Sequence, residues 1–181
     1  MTDVSATTEI KLKIRKIVER DLAYFLIWRN DPRVRRWLRQ STDLTCIEQV
    51  KWFEELQKGY PLDRALCALE TIEEKPQLVG CCGLTSLSLQ NKHGELSLFI
   101  NPDLHGRGYG YAAARLLLDE AFGHFRLHSV WSESYYGSPA IGLAKKLEME
   151  FVGAIPDHYF KDGGFTDAVI FSMTRGQWTK D

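Results

Sequence analysis

The sequence has no hydrophobic run long enough to cross a membrane. Its longest aromatic stretch, Tyr24 to Trp28, falls far short of the roughly 20 apolar residues a spanning helix needs. Met1 to Glu9 lacks the charged-then-apolar pattern of a secretory leader. Neither sign of charge dominates: 23 Lys+Arg stand against 24 Asp+Glu, so no global field exists to grip nucleic acid, and any such partner would need a local patch. Cysteine is scarce. The four present (Cys46, Cys67, Cys81, Cys82) show no C-x-x-C spacing and no accompanying His cluster. Metal ligation needs several converging donors, and the adjacent Cys81 and Cys82 on a strand would point to opposite faces. They read as small buried hydrophobes in a reducing compartment, with no metal and no disulfide. No internal repeat or low-complexity linker divides the chain. What remains is a cytoplasmic protein of one domain, since 181 residues suffice for one core and are short for two. Residues 1–9 read as a flexible tail and 10–181 as the domain.

What is present has clear periodicity. Ile10, Leu12 and Ile14 alternate with basic residues, a strand pattern. Asp21 is placed to cap a helix with Leu22, Phe25 and Leu26 on one face, and Pro32 breaks that helix after Trp28-Arg29-Asn30-Asp31. Thr45 and Glu48 have capping-box spacing and open a helix that ends near Gly59. Three extended stretches follow, at about 64–72, 78–88 and 94–100, separated by polar turns as in an antiparallel meander. A glycine loop then leads into a helix with the stripe Ala114, Leu117, Leu118, Ala121, Phe122 and Phe125. After a strand at 129–134, Ser138 and Pro139 sit where a helix takes its cap and first residue. Strands near 149–154 and 165–174 close the chain. The order gives an α+β protein with a mixed, mostly antiparallel sheet.

The strongest chemical signal is the segment His105-Gly106-Arg107-Gly108-Tyr109-Gly110-Tyr111. Alternate glycines let the backbone turn tightly and aim several N–H groups at one point, which the start of the following helix also faces. Such a site suits a pyrophosphate, with Arg107 as either a charge partner or a solvated loop residue. A P-loop would need Gly-Lys-Ser/Thr at its end, and Tyr111-Ala112 denies that. A Rossmann turn should follow its strand directly and open several βαβ units, whereas Asn101 to His105 intervenes and antiparallel strands precede it.

The segment resembles the acyl-CoA signature of the GCN5-related N-acetyltransferases (GNAT), Gln/Arg-x-x-Gly-x-Gly/Ala, aligned on His105-x-x-Gly108-x-Gly110, with His105 departing from the usual first residue. Trp28-Arg29-Asn30-Asp31, Gly94-Glu95-Leu96 with Pro102 before the loop, Ala144-Lys145-Lys146-Leu147 and Asp157-His158-Tyr159-Phe160-Lys161-Asp162-Gly163 are similar, in order, to the branch that acetylates ribosomal-protein N-termini (Rim-type). That branch also holds polyamine, aminoglycoside and amino-sugar acetyltransferases.

The resemblance implies an α/β/α sandwich whose sheet splays to admit acetyl-CoA. It implies direct attack of a primary amine on the thioester, with no covalent acyl-enzyme and no metal. The acceptor would be a protein or peptide N-terminus, a polyamine or an amino sugar. Glu95, on the strand before the loop, becomes the candidate base, because an alkyl ammonium must lose a proton before it can attack. Leu96, Leu98 and Ile100 share the opposite face of that strand. The backbone of Leu98, Phe99 and Ile100 would meet the pantetheine arm, and His105 to Tyr111 with Ser138 would complete the acetyl-CoA site. Trp28, Asn30, Tyr159 and Phe160 would wall the amine's entrance. Relatives often carry a hydroxyl or amide at the positions of Gly137, Ala140 and Ala144; here none is present, and Tyr135, Tyr136 and Ser138 are close enough in sequence to substitute, with Tyr136 the favoured candidate acid. The same gap motivates an alternative, a catalytically inactive acyl-CoA-binding regulatory module. Relatives often dimerise, so a homodimer is part of the expectation.

Overall fold

The computed structural model describes residues 10–40, 42–59 and 63–178. The expected tail at 1–9 lies outside the described residues. Strand β1 (Leu12–Arg15) leads to helix α1 (Glu19–Asn30). Asp21 is not its cap. Val18 holds that position, and Asp21, two per cent exposed, accepts from the Val18 N–H at 2.9 Å while Arg15 pairs with both its oxygens at 2.7 and 2.9 Å. The ion pair draws the carboxylate into the first turn. Pro32 ends α1 and also opens the short α2 (Pro32–Arg35), whose cap Asp31 accepts from the Arg33 N–H at 2.8 Å.

Helix α3 (Cys46–Lys58) has the expected capping box: the Glu48 N–H donates to Thr45 Oγ1 at 3.2 Å and the Thr45 N–H to Glu48 Oε2 at 2.8 Å. Gly59 closes it at φ 64°. Strands β2 (Ala65–Thr71), β3 (Leu78–Ser88) and β4 (His93–Ile100) form the antiparallel meander. Then come α4 (Tyr109–Phe122), β5 (Ser129–Tyr135), α5 (Pro139–Lys146), β6 (Glu150–Lys161), β7 (Gly164–Thr174) and α6 (Arg175–Trp178). Strand β6 runs well past the expected 149–154. A register shift between Ile155 and Tyr159 absorbs Pro156 and Asp157 (φ 47°), so pairing resumes where the sequence alone indicated a stop.

The seven strands lie in the order β1-β2-β3-β4-β5-β7-β6, antiparallel except for β4 beside β5. One face packs Leu69, Val79, Cys82, Leu84 and Ile100 against the α4 stripe of Ala114, Leu117, Leu118 and Ala121. The other packs Ala68 and Cys81 against Leu22, Phe25 and Trp28 of α1, with Phe99 edge-on to Phe25 at 5.5 Å. Cys81 and Cys82 thus face opposite layers, as strand geometry requires. The result is a three-layer α/β/α sandwich around a mixed, mostly antiparallel sheet. Among the described residues, no helix is long and apolar enough to cross a membrane.

Candidate active site

The sheet opens in its middle. Strands β4 and β5 pair over three positions only, His93 with Ser129, Gly94 with Val130 and Glu95 with Trp131. Beyond Glu95, β4 continues to Ile100 paired with β3 alone, while β5 continues to Tyr135 paired with β7 alone. A cavity of about 590 Å³ occupies the wedge. Leu96, Leu98, Phe99 and Ile100 form one wall, Ser132, Glu133 and Ser134 the other, and Ser138 with Pro139, Ala140, Leu143 and Ala144 of α5 closes one end.

The glycine loop closes the other end. Gly106 (φ 75°) and Gly108 (φ 91°) hold left-handed conformations that side chains resist, and Gly108 caps α4. The first bond across that boundary runs from the Ala112 N–H to the Gly108 carbonyl, so the N–H groups of the first turn precede any helical acceptor. Gly110 lies within that turn, and a Cβ there would meet nothing of the protein within 4 Å. His105 Nε2 lies 3.1 Å from the Ile100 carbonyl oxygen, tying the loop to the free end of β4.

Of the residues expected to bind acetyl-CoA, Leu98, Phe99, Ile100, His105, Gly106, Gly108, Tyr109, Gly110, Tyr111 and Ser138 all line this cavity. Arg107 does not, and Ser138 also caps α5, its Oγ accepting from the Ala140 N–H at 3.2 Å. The acceptor-side expectations distribute differently. Trp28 is buried among Tyr24 and Phe25, and the Asn30 carboxamide exchanges two 2.8 Å bonds with the Leu44 backbone. Neither is on the wall of this cavity. Tyr136 does not reach the cavity. It follows the last residue of β5, where the alternation of side chains turns it outward, and it is 71% exposed.

Glu95 is six per cent exposed, and both its oxygens are engaged. Arg39 reaches each of them, with 3.3 Å to Oε2 and a closer contact to Oε1, while Thr85 and Ser86 hydroxyls stand 3.3 and 3.4 Å from Oε2. Ser86 takes φ 46° in a bulge of β3 that aims these hydroxyls inward. Glu95 is absent from the cavity wall; Glu133, which sequence reasoning missed, is on it. Arg39 also lies 3.3 Å from Glu133 Oε1, and the Tyr159 hydroxyl donates to the same oxygen. Burial, then the bond donated to Glu133, pushes the Tyr159 phenol up to about 12, so it remains a donor. No described group bonds Glu133 Oε2. Burial likewise pushes the Cys81 thiol up to about 12 and raises Cys82, so neither is a thiolate near neutrality.

Residues 11–150 match the acetyltransferase (GNAT) domain. The chain belongs to this family. Its fold is shared with solved acetyltransferases. Spermidine N-acetyltransferase from Vibrio cholerae, in complex with CoA and spermine, superposes with a TM-score of 0.83 at 17% identity over 93% of this chain and 98% of that one. A probable acetyltransferase superposes at 0.77, with 22% identity over 95% and 97%. At these identities the likeness is one of fold. Family membership makes the chain an amine N-acyltransferase with acetyl-CoA as cosubstrate. Among the described residues, no group of three or more His, Cys, Asp or Glu converges as a metal site.

Proposed function

We propose that the chain acetylates a primary amine by direct transfer, with the proton leaving toward Glu133. The observation that carries the assignment is the contrast between two carboxylates. Glu95 has both oxygens taken by Arg39, Thr85 and Ser86, whereas Glu133 faces the cavity with Oε2 free. A base must reach the proton it removes, and Glu95 lies off the cavity wall behind Arg39 whereas Glu133 is on it. In this reading Glu95 is a positioning residue: it fixes Arg39, which with Tyr159 fixes Glu133 through Oε1.

The first-turn N–H groups of α4 and the loop around Gly108 fit a pyrophosphate, and the open space at Gly110 leaves room for it. The unpaired edge of β4 from Leu96 to Ile100 offers backbone groups to an extended amide chain, as an added strand would use them. Acetyl-CoA supplies an acyl group already activated as a thioester. Its thiolate resembles a thiol of pKa about 8.5 and leaves without an obligatory protein acid, in keeping with the outward Tyr136. The buried, protonated cysteines support transfer without a covalent relay. The four free thiols suit a cytoplasmic setting.

The test is release of CoA by purified protein across a panel of N-terminal peptides, amino sugars and polyamines. Amine-dependent release supports the reading. Acetyl-CoA binding without release for any amine would overturn it in favour of a binding module.

A further inference from the structure

Arg39 stands at the fork of the sheet. Its guanidinium bonds Glu95, the last residue through which β4 pairs with β5, and also Glu133, two positions past the Trp131 that pairs with Glu95. One side chain thus spans the two strands where they part. Its own backbone is less secure. Residues 36–40 belong to no helix or strand, so the repeating bonds of regular structure do not fix the point from which Arg39 reaches.

Lys161 supplies that anchor from the end of β6. Its ammonium is directed at three backbone carbonyls, those of Arg35 at 3.2 Å, Gln40 at 3.4 Å and, most closely, Leu38. Leu38 and Gln40 are the neighbours of Arg39 on either side. An ammonium has three protons and no acceptor, so three converging carbonyls occupy it fully. The Tyr135 hydroxyl donates to the same Leu38 carbonyl at 3.4 Å, and the ammonium lies 4.9 Å from the centroid of that tyrosine's ring. Val34, Trp37 and Leu38 of this segment line the acetyl-transfer cavity, so the same anchor also sets one of its walls.

The register of β6 gives Lys161 a companion. After the shift between Ile155 and Tyr159, Tyr159 pairs with Thr166 and Lys161 with Gly164, so the two side chains lie two residues apart on one face of the strand. Tyr159 reaches Glu133 Oε1 directly, and Lys161 reaches it through Arg39, which lies 3.3 Å from the same oxygen. Both routes end on Oε1.

We propose that Lys161 is a positioning residue for acetyl transfer: by holding the carbonyls on either side of Arg39, it keeps Glu133 aimed into the cavity. The proposal rests on the reading of Glu133 as the base.

Lys161→Met keeps the apolar stem and removes the ammonium, and Lys161→Arg restores a cation with donors. Kinetics are measured with the amine turned over fastest in the CoA-release panel. Lys161→Met should lower kcat on the order of tenfold or more, with the KM for acetyl-CoA within about twofold, because a small misplacement near the reacting atoms slows chemistry while the glycine loop lies apart from the anchor. Lys161→Arg should recover part of the loss. In a Glu133→Gln background, Lys161→Met should cost no more than about twofold further, since nothing is left for it to position. Hydrogen exchange over residues 33–40 needs no acceptor and should quicken in Lys161→Met. Unchanged exchange there, a loss carried by the KM for acetyl-CoA, or an equal loss with and without Glu133 would each overturn the proposal. A slow Glu133→Gln beside an unimpaired Lys161→Met would discard the anchor alone and keep the base. Wild-type kcat in Glu133→Gln would discard the base, and the proposal with it.

Discussion

Arg39 holds Glu95 with two contacts, one terminal nitrogen to each carboxylate oxygen, although 56 positions separate them in the chain. Fork-to-fork pairs of this kind fix orientation as well as charge. Glu95→Gln keeps the shape and loses the charge, so Arg39 would loosen and stability should fall. Arg39 is about half exposed, which places the loss near 1–2 kcal/mol rather than the roughly 3–5 of a fully buried pair. Denaturant titration reads this directly; an unchanged midpoint would show that the pair does not hold the site together.

The same two carboxylates separate in kinetics. Glu133→Gln should lower kcat/KM by about 10²-fold near pH 7, with the deficit shrinking as pH approaches the amine's own pKa of about 10. Glu95→Gln should lower it less and without that pH trend. The opposite ranking would return the proton to Glu95.

Gly110→Ala should move two properties in opposite directions. A Cβ there meets no protein atom, and alanine in a helix turn is favoured over glycine by up to about 1 kcal/mol, so the melting temperature of the free protein should hold or rise. Acetyl-CoA affinity should fall, because the methyl enters space assigned to the ligand. Gly108→Asp should also abolish binding, but there the added Cβ lies 3.2 Å from Ile10 Cδ1 at φ 91°, so the fold itself is strained. Calorimetric titration of both variants with acetyl-CoA separates the two causes.

Tyr159 gives a signature at high pH. Its folded pKa, about 12, lies above the unfolded value near 10, so its contribution to stability is complete below about pH 10 and is lost as pH rises toward 12. Absorbance titration of the phenolates should show a late component that shrinks in Tyr159→Phe and leaves the contribution of Tyr135, which burial also raises, and the variant's stability should depend less on pH across that window. Tyr136→Phe, by contrast, should leave kcat unchanged at every pH; a lost descending limb would make Tyr136 the acid after all.

Much of this was legible in the sequence because it is local. The capping box of Thr45 and Glu48, the Ser138-Pro139 helix start, the split faces of Cys81 and Cys82 and the left-handed Gly106 and Gly108 all follow from residues within a few positions of one another. The misses are long-range. Asp21 is drawn to N3 by Arg15 from the preceding strand, and Asn30 is spent on Leu44 across a loop. Glu133 acquires meaning only when Arg39, 94 positions earlier, and Tyr159, 26 later, arrive beside it. The one advance signal was the run of arginines from Arg33 to Arg39, unusually dense for a chain with balanced charge.

Strand edges with unpaired backbone groups ordinarily lie at the rim of a sheet, where they recruit other chains. The wedge between β4 and β5 moves two such edges to the interior, facing each other across a gap. Whatever fills the gap becomes, in effect, an eighth strand, so folding and cosubstrate supply are coupled by mass action. When acetyl-CoA is scarce, the halves β1–β4 and β5–β7 are joined in the sheet by three residue pairs alone. The amides of β4 beyond Glu95 that point into the gap rather than toward β3 should then exchange with solvent far faster than those of β2 and β3, making the protein's own backbone a gauge of the acetyl-CoA around it.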